Sequence, residues 1–253
     1  MARLATIVAA LDTELHLADF EDDSHNGLQV ENNGTVTKVC CGVDASLDFF
    51  RAAKDAGADL CVVHHGISWG TSLSRITGVN RKLVAFLLEN NLALYAAHLP
   101  LDAHPVLGNN ACLAAALGLL DVSPFCVYHG KRIGWKGRFP SPVACEELCG
   151  RVRTLTPDGN FHALPYGKSL VETIGIVSGG AAADVCQAVD EGLDCYLTGE
   201  VNLQAYHAAK QGGINMIAAG HYATEVGGVR ALGEFLGKNF KLPFEFINLR
   251  LPW

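Results

Sequence analysis

Three short stretches of the sequence carry side chains that could bind a metal ion. His64 and His65 follow an apolar run and precede Gly66, so two adjacent imidazoles come at the end of a predicted strand. His221 and Glu225 are four residues apart at the start of a predicted helix, and they therefore share one face of its first turn. Neutral imidazole together with carboxylate is a typical ligand set for first-row divalent metal ions.

The third stretch places His98 and Asp102 just beyond another predicted strand. Taken singly, Asp102 could cap a turn or a helix, and the histidine pair could be a polar strand end in solvent. Taken together, the three stretches favour a metal centre. Three imidazoles and two carboxylates suit two ions bridged by a carboxylate, and such a centre can activate a bridging water. The predicted ligands are His64, His65, Asp102, His221 and Glu225.

The elements that must position these residues occur in the order of an α/β protein. Apolar runs alternate with stretches of helical periodicity, and glycines separate them. The predicted strands are 36–43, 60–63, 92–97, 172–177, 195–198 and 215–218, and the predicted helices include 47–56, 81–90, 181–191 and 201–211. Ligands of parallel α/β sheets bind at the carboxyl ends of the strands, which is where the candidate ligands occur.

The strand–helix order of the first part of the chain returns in the last part. Residues 52–66 align with residues 187–201, which superimposes Asp59 on Asp194 and His65 on Glu200. The sequence therefore predicts two similar βαβ-rich lobes, residues 1–122 and 170–253, whose strand ends face one cleft. Between them, Pro, Gly, Lys and Arg are interleaved without a clear helical period, which predicts a small inserted subdomain over residues 123–169.

Several motifs along almost the whole chain resemble those of one known family. They are Asn26-Gly27-Leu28-Gln29-Val30, residues 63–66, residues 97–102, Leu197-Thr198-Gly199-Glu200 and residues 219–225. Together they resemble the Nif-three-like dinuclear-metal family, whose members are often called GTP cyclohydrolase I type 2 homologues. The resemblance implies the same five ligands, with Glu225 as the bridge, and a toroidal homohexamer whose metal sites face an internal cavity. The chain departs from many members at Leu99-Pro100, which replaces Thr-Asn beside the metal motif.

Catalytic roles are predicted for Glu225, His98 and Glu200. His98 mirrors His221 in the repeat, and we expect it to orient a ligand or to face the substrate. Glu200 could orient a ligand or act as a general base, or it could serve a helix N-terminus. His104 is expected nearer the cleft than the remaining histidines, with a substrate contact as its less favoured role, and Asn26 is expected to approach the site. The remaining histidines are expected at the surface, with His16 in the first helix: His16, His25, His129, His162 and His207.

Composition excludes several classes of protein. The chain has 253 residues, of which 49% are hydrophobic and 18% charged, so it is neither disordered nor a disulfide miniprotein. Its net charge of −7, without a basic cluster, makes nucleic acid an unlikely partner. The longest uncharged apolar stretch, 111–120, is about half of what a membrane span needs. Nine scattered Cys without a CxxC pair predict free thiols and a cytoplasmic location. Cys145 and Cys149 could share a helix face, where packing is the favoured role over metal binding.

The function predicted from these residues is metal-dependent hydrolysis of a small, nucleotide-like substrate by a metal-activated bridging water. The ligand set suits Zn, Fe, Mn, Co or Ni equally. No phosphate-binding glycine loop of the Walker type is present, so the GTP cyclohydrolase activity is implied by the resemblance alone. The alternatives are a non-catalytic metal carrier, chaperone or scaffold, and a nuclease or phosphoesterase. An enzyme would keep coordination positions open for substrate, whereas a carrier would not need them.

Overall fold

Three β-sheets organise the chain, and the computed structural model describes residues 1–251. The strands are β1 (Ala2–Arg3), β2 (Gly27–Val30), β3 (Thr35–Val36), β4 (Val39–Asp44), β5 (Leu60–His65), β6 (Ala93–Ala96), β7 (Leu120–Tyr128), β8 (Lys131–Ala144), β9 (Phe161–Pro165), β10 (Leu170–Ile176), β11 (Cys195–Thr198), β12 (Asn215–Ala219) and β13 (Phe244–Phe246). The α-helices are α1 (Leu4–Glu14), α2 (Leu47–Asp55), α3 (Gly78–Glu89), α4 (Leu99–Ala103), α5 (Asn109–Ala116), α6 (Cys145–Leu155), α7 (Val185–Asp190), α8 (Leu203–Gly212), α9 (His221–Thr224) and α10 (Val226–Phe240).

Contacts within the chain divide it into two units. The first unit comprises Met1–Leu101 and Gly228–Leu249, and the second comprises Asp102–Gly227 with residues 250 and 251. The domain boundaries predicted after residues 122 and 169 stay predictions. The division observed here falls instead after Leu101 and Gly227, because α10 returns the chain to the first unit.

The first unit is built on a five-stranded sheet with the strand order β13-β4-β5-β6-β2. β13, β4, β5 and β6 are parallel, and β2 closes one edge in the antiparallel direction. The parallel register sets Asp44 at the end of β4 opposite His65 at the end of β5. Gly42 is required in β4, because a Cβ there would lie 2.5 Å from the Phe49 ring of α2. The predicted βαβ unit is confirmed here, and its apolar strands are buried.

The second unit has a six-stranded sheet with the order β7-β8-β10-β11-β12-β9. β10, β11 and β12 are parallel, while β7, β8 and β9 join in the antiparallel direction. Residues 123–169, predicted as an inserted subdomain, supply β8, β9 and most of β7 to this sheet, and they also contain α6. The interleaved Lys, Arg and Gly residues of this segment lie in the long antiparallel strand β8.

Two aspartates that the repeat alignment superimposes make the same hydrogen bonds. Asp59 Oδ2 accepts from the Thr37 backbone N–H, the Thr37 hydroxyl and the Lys38 backbone N–H. Asp194 Oδ2 accepts from the Glu172 and Thr173 backbone N–H groups and from the Thr173 hydroxyl. Each carboxylate thus ties the start of one strand to the start of the preceding strand. The predicted repeat of whole lobes stays a prediction.

Two details of the predicted helices differ from the structure. The helix predicted over 181–191 is a 3-10 turn at Ala182–Asp184 followed by α7. His16 does not lie in the first helix, since α1 ends at Glu14 and His16 has a φ of 49° in the left-handed region. Among residues 1–251, no helix is both long and apolar enough to cross a bilayer.

Candidate metal-binding site

The end of β5 presents two imidazoles whose ring orientation is fixed from behind. His64 is fully buried, and its Nδ1 lies 2.8 Å from the carbonyl oxygen of Ala97. His65 Nδ1 lies 2.8 Å from Asp44 Oδ1, as the register of β4 and β5 dictates. An imidazole whose Nδ1 is held by an oxygen offers its Nε2 to a metal ion, and this is the usual arrangement of metal-binding histidines.

His98 joins these two histidines in the first unit. Its ring centroid is 5.1 Å from that of His64 and 5.6 Å from that of His65. One nitrogen of each of the three rings lies within 4.8 Å of the others, so the group could hold a metal ion. His98 Nδ1 is oriented in turn by both carboxylate oxygens of Asp22, at 2.9 and 3.1 Å. The structure therefore brings His98 into the same cluster as two predicted ligands.

The Asp22 carboxylate makes several hydrogen bonds with residues around His98. Besides His98, its carboxylate accepts hydrogen bonds from the Ser24 and Leu99 backbone N–H groups and from the Asn26 amide. The Asn26 Oδ1 accepts in turn from the His98 backbone N–H at 2.7 Å. Burial by itself raises the pKa of Asp22, but the hydrogen bond and charge of His98 outweigh it and bring the pKa to about 2. Asp22 is thus an ionised, multiply bonded support for His98.

Replacing Asp22 with Asn is expected to lower the free energy of unfolding by about 2 kcal/mol at pH 7. The carboxylate is 3% exposed, and an amide presents one acceptor and one donor to a ring of donors. A carboxyl whose folded pKa is depressed stabilises the fold above its ordinary pKa of 3.8, and this contribution disappears as the pH falls towards 2. About half should be gone by pH 3. Urea denaturation at several pH values measures it. The same change at the exposed neighbour Asp23 is the control, and an equal loss in both variants would contradict the prediction.

The Asn26-to-Val30 motif has a second structural role, which Gln29 performs. Gln29 Oε1 accepts from the backbone N–H groups of Ile67 and Ser68, and its Nε2 donates to the carbonyl oxygens of His25 and Ser68. The amide lies so close to Gly66 that a Cβ there would be 2.3 Å from Oε1. Gln29 therefore fixes the loop that follows the two histidines of β5, which explains why Gly66 follows them.

In the second unit, His221 begins α9 directly after β12 and lies between two carboxylates. Its Nδ1 is 2.7 Å from Glu200 Oε1, and its Nε2 is 3.2 Å from Glu225 Oε1. The Glu225 side chain is 3% exposed. Burial lowers the pKa of His221, but the hydrogen bonds and charges of Glu225 and Glu200 outweigh burial and raise the pKa to about 9. Glu200 thus orients His221, which is one of the roles predicted for it.

Glycines at the ends of two parallel strands make room for this group. Gly179, after β10, has a φ of +68°, and a Cβ there would lie 2.2 Å from Glu225 Oε1 and 3.1 Å from His221 Nε2. Its N–H donates to the Thr224 hydroxyl at 3.0 Å. Gly199, after β11, would bring a Cβ within 2.6 Å of the His221 Cα. The space beside the two candidate ligands therefore depends on the absence of side chains.

Asp102, in α4, belongs to the second unit as well. Its Oδ1 accepts hydrogen bonds from the Asn109 amide at 2.9 Å and from the Ser178 hydroxyl at 3.1 Å. The residue is 6% exposed. The Asn109 and Ser178 side chains therefore fix the position of the buried Asp102 carboxylate. Ser178 adjoins Gly179, so one loop contacts both Asp102 and the His221–Glu225 pair.

Other residues lie where the sequence could not place them. The His104 ring accepts hydrogen bonds at Nδ1 from the Val106 and Leu107 backbone N–H groups and so fixes the turn before α5. The supporting residues that sequence reasoning missed are Asp22, Asp44, Asn109, Ser178 and Gly179. Gly179 and Asp44 gave a signal, because Gly179 belongs to a Gly-Gly pair just after a predicted strand and Asp44 directly follows another.

The whole chain is similar to known proteins. The family Duf34/NIF3 (NGG1p interacting factor 3) matches residues 2–251. Relatives from Archaeoglobus fulgidus and Escherichia coli K12 are 41% and 38% identical, and the matches cover 98% and 96% of both chains. Both are named GTP cyclohydrolase 1 type 2 homolog. The solved structure of protein ybgI, of unknown function, superimposes with a TM-score of 0.93 at 36% identity over the full length of both chains. A protein from Thermus thermophilus gives a TM-score of 0.88 at 37% identity over 98% of each chain.

Fold and site together define a mixed α/β protein of several sheets with side-chain groups that can hold a metal ion. The match over nearly all residues, with identities near 40%, shows more than the fold. The chain belongs to the Duf34/NIF3 family, as the resemblance in its sequence predicted.

Proposed function

We propose that the protein is a metal-dependent hydrolase that binds two divalent metal ions. The ligands we assign are the five predicted from the sequence: His64, His65, Asp102, His221 and Glu225. The observation that carries the proposal is that an oxygen fixes the Nδ1 of every histidine in this set. Such support is expected of rings that must offer Nε2 to a metal ion.

Divalent ions held by these ligands would lower the pKa of a bound water molecule and would polarise the substrate. The chain's own residues prepare this chemistry. Glu200 holds the Nδ1 proton of His221, so that the lone pair belongs to Nε2. Asp44 does the same for His65. His98, oriented by Asp22, is the residue we assign to proton transfer with the substrate through its Nε2.

The substrate we propose is a small molecule, and nucleotides are the first class to test because the relatives carry the name GTP cyclohydrolase 1 type 2 homolog. The toroidal hexamer expected from the family remains part of the proposal, and light scattering of the purified protein measures it. Turnover of nucleotides or small phosphoesters with added Mn or Zn would support the hydrolase. Transfer of bound metal to a chelating acceptor without turnover of any of these would support the carrier.

Elemental analysis of the purified protein tests the metal centre directly. We expect about two divalent ions per chain, with a clear loss in both His221→Ala and Glu225→Ala because each change removes a ligand. His207→Ala is the matched control, since His207 is an exposed histidine of α8 in the same unit. Substoichiometric metal that is unchanged in the variants after reloading would overturn the proposal.

A further inference from the structure

A cavity in the second unit lies at the opposite end of β12 from His221. It has a volume of about 570 Å³ and reaches Asn215, the first residue of β12, whereas His221 follows the last. Its walls come from the first turns of α6, from β9 and from the loop before β10. None of these wall residues belongs to the metal-binding groups described above. The cavity therefore needs an explanation of its own.

Two thiols line this cavity side by side. Cys145 is the first residue of α6, and Cys149 lies one helical turn later on the same face. Both are free and partly exposed, and both pack against the buried cluster that contains Cys195. The pKa of Cys149 is raised to about 11, mainly because the thiol is partly buried and secondly because Cys145 lies beside it. Simple nucleophilic chemistry is disfavoured for such protonated thiols.

The helical spacing of this pair suits chelation better than a disulfide. Residues four apart in an α-helix have Cα atoms about 6 Å apart, which is within the range that a disulfide accepts, but their Cα–Cβ bonds run side by side and do not point at each other. The helix backbone resists turning these bonds towards each other. An ion placed between two sulfurs lengthens the bridge, and thiolate ligands select soft ions such as Cu(I).

The charges around the cavity fit an anionic complex of this kind. A monovalent ion held by two thiolates carries a net charge of −1. Lys168 lines the cavity, and Arg153 lies one turn beyond Cys149. Glu146 is an acidic lining residue that opposes them. Lys168 also forms an ion pair with Asp194 at 2.7 Å, which offsets part of its charge.

We propose that Cys145 and Cys149 form a dithiol site for one soft, thiophilic ion of the Cu(I) class. The two thiols each release a proton to solvent as the two sulfur–metal bonds form, and the ion keeps its oxidation state. The site is separate from the imidazole and carboxylate groups, whose harder ligands suit other metals. One sheet would thus offer two chemically different metal sites at its two ends.

Anaerobic competition for Cu(I) against bathocuproine disulfonate tests the site in the intact protein. Wild type and Cys186→Ser, which removes an exposed cysteine of α7, are expected to take up one tightly bound equivalent. Cys145→Ser and Cys149→Ser should each bind that equivalent at least about tenfold more weakly, because a single thiol loses the effective concentration supplied by its neighbour. Zn or Mn content at the histidine groups should be the same in all four proteins. Equal Cu(I) uptake by all four would overturn the proposal.

A second measurement needs no variant and so does not depend on how the serine proteins fold. Phenylarsine oxide bridges two neighbouring thiols and releases one water. Peptide mapping of the modified wild-type protein should place a single bridging adduct on the segment that contains Cys145 and Cys149. Adducts found only on other cysteines would contradict the proposal even if the variants proved unstable.

Discussion

Replacing Gly179 with Ala is expected to remove the metal bound at His221 and Glu225 while the protein still folds. The new methyl group would lie 2.2 Å from Glu225 Oε1 and 3.1 Å from His221 Nε2, so the carboxylate must leave the position in which it faces the imidazole. Both atoms are proposed metal ligands, so the methyl group would occupy space beside the proposed metal position. We expect the metal content to fall to that of His221→Ala, as measured by elemental analysis after reloading.

Gly192→Ala is a closely matched control for this experiment. Gly192 has the same φ of +68°, but a Cβ there would meet nothing within 4 Å. Both variants should therefore lose about 1–2 kcal/mol of unfolding free energy from the left-handed backbone, while only Gly179→Ala loses metal. Full metal content in Gly179→Ala, or equal loss in both variants, would show that the space beside Glu225 is not a binding site.

The parts of the site that could be predicted from the sequence are those that follow strand ends. His64 and His65 end β5, and His221 follows β12, because the apolar runs and glycines mark where those strands stop. Local patterns also predicted α2, α8 and the parallel strands. These features depend on neighbours along the chain, so their periodicity is visible in a single sequence.

The supporting residues could not be predicted, because their partners are distant in sequence. Asp22 is 76 residues from His98, and Ser178 is 76 residues from Asp102. A serine or an aspartate in a loop has many possible partners, and only the fold selects one. Asp44 is the exception that reasoning could have found. It ends β4 as His65 ends β5, and adjacent parallel strands of known register place the two side by side.

Metal binding at pH 8 is expected to release about 0.9 proton from His221. The pKa of His221 is raised to about 9, since the hydrogen bonds and charges of Glu225 and Glu200 outweigh the opposing effect of burial. The ring is therefore still protonated at pH 8 without metal, and a metal ion on Nε2 must displace that proton. An imidazole at the ordinary value of 6.5 would release almost none. Apparent affinity should then rise about tenfold per pH unit up to about pH 9.

Glu200→Gln separates this cause from a general effect of pH on the protein. The amide can still accept a hydrogen bond from His221 Nδ1, but it carries no charge, so the pKa of His221 should fall and the proton release should shrink. Calorimetric titration with Zn in buffers of different ionisation enthalpy counts the protons directly. If wild type and Glu200→Gln release the same number of protons at pH 8, the charge of Glu200 does not control the protonation of His221. A smaller release in the variant would show that Glu200 sets the protonation of a metal-binding ring, which is the positioning role that the 2.7 Å contact indicates.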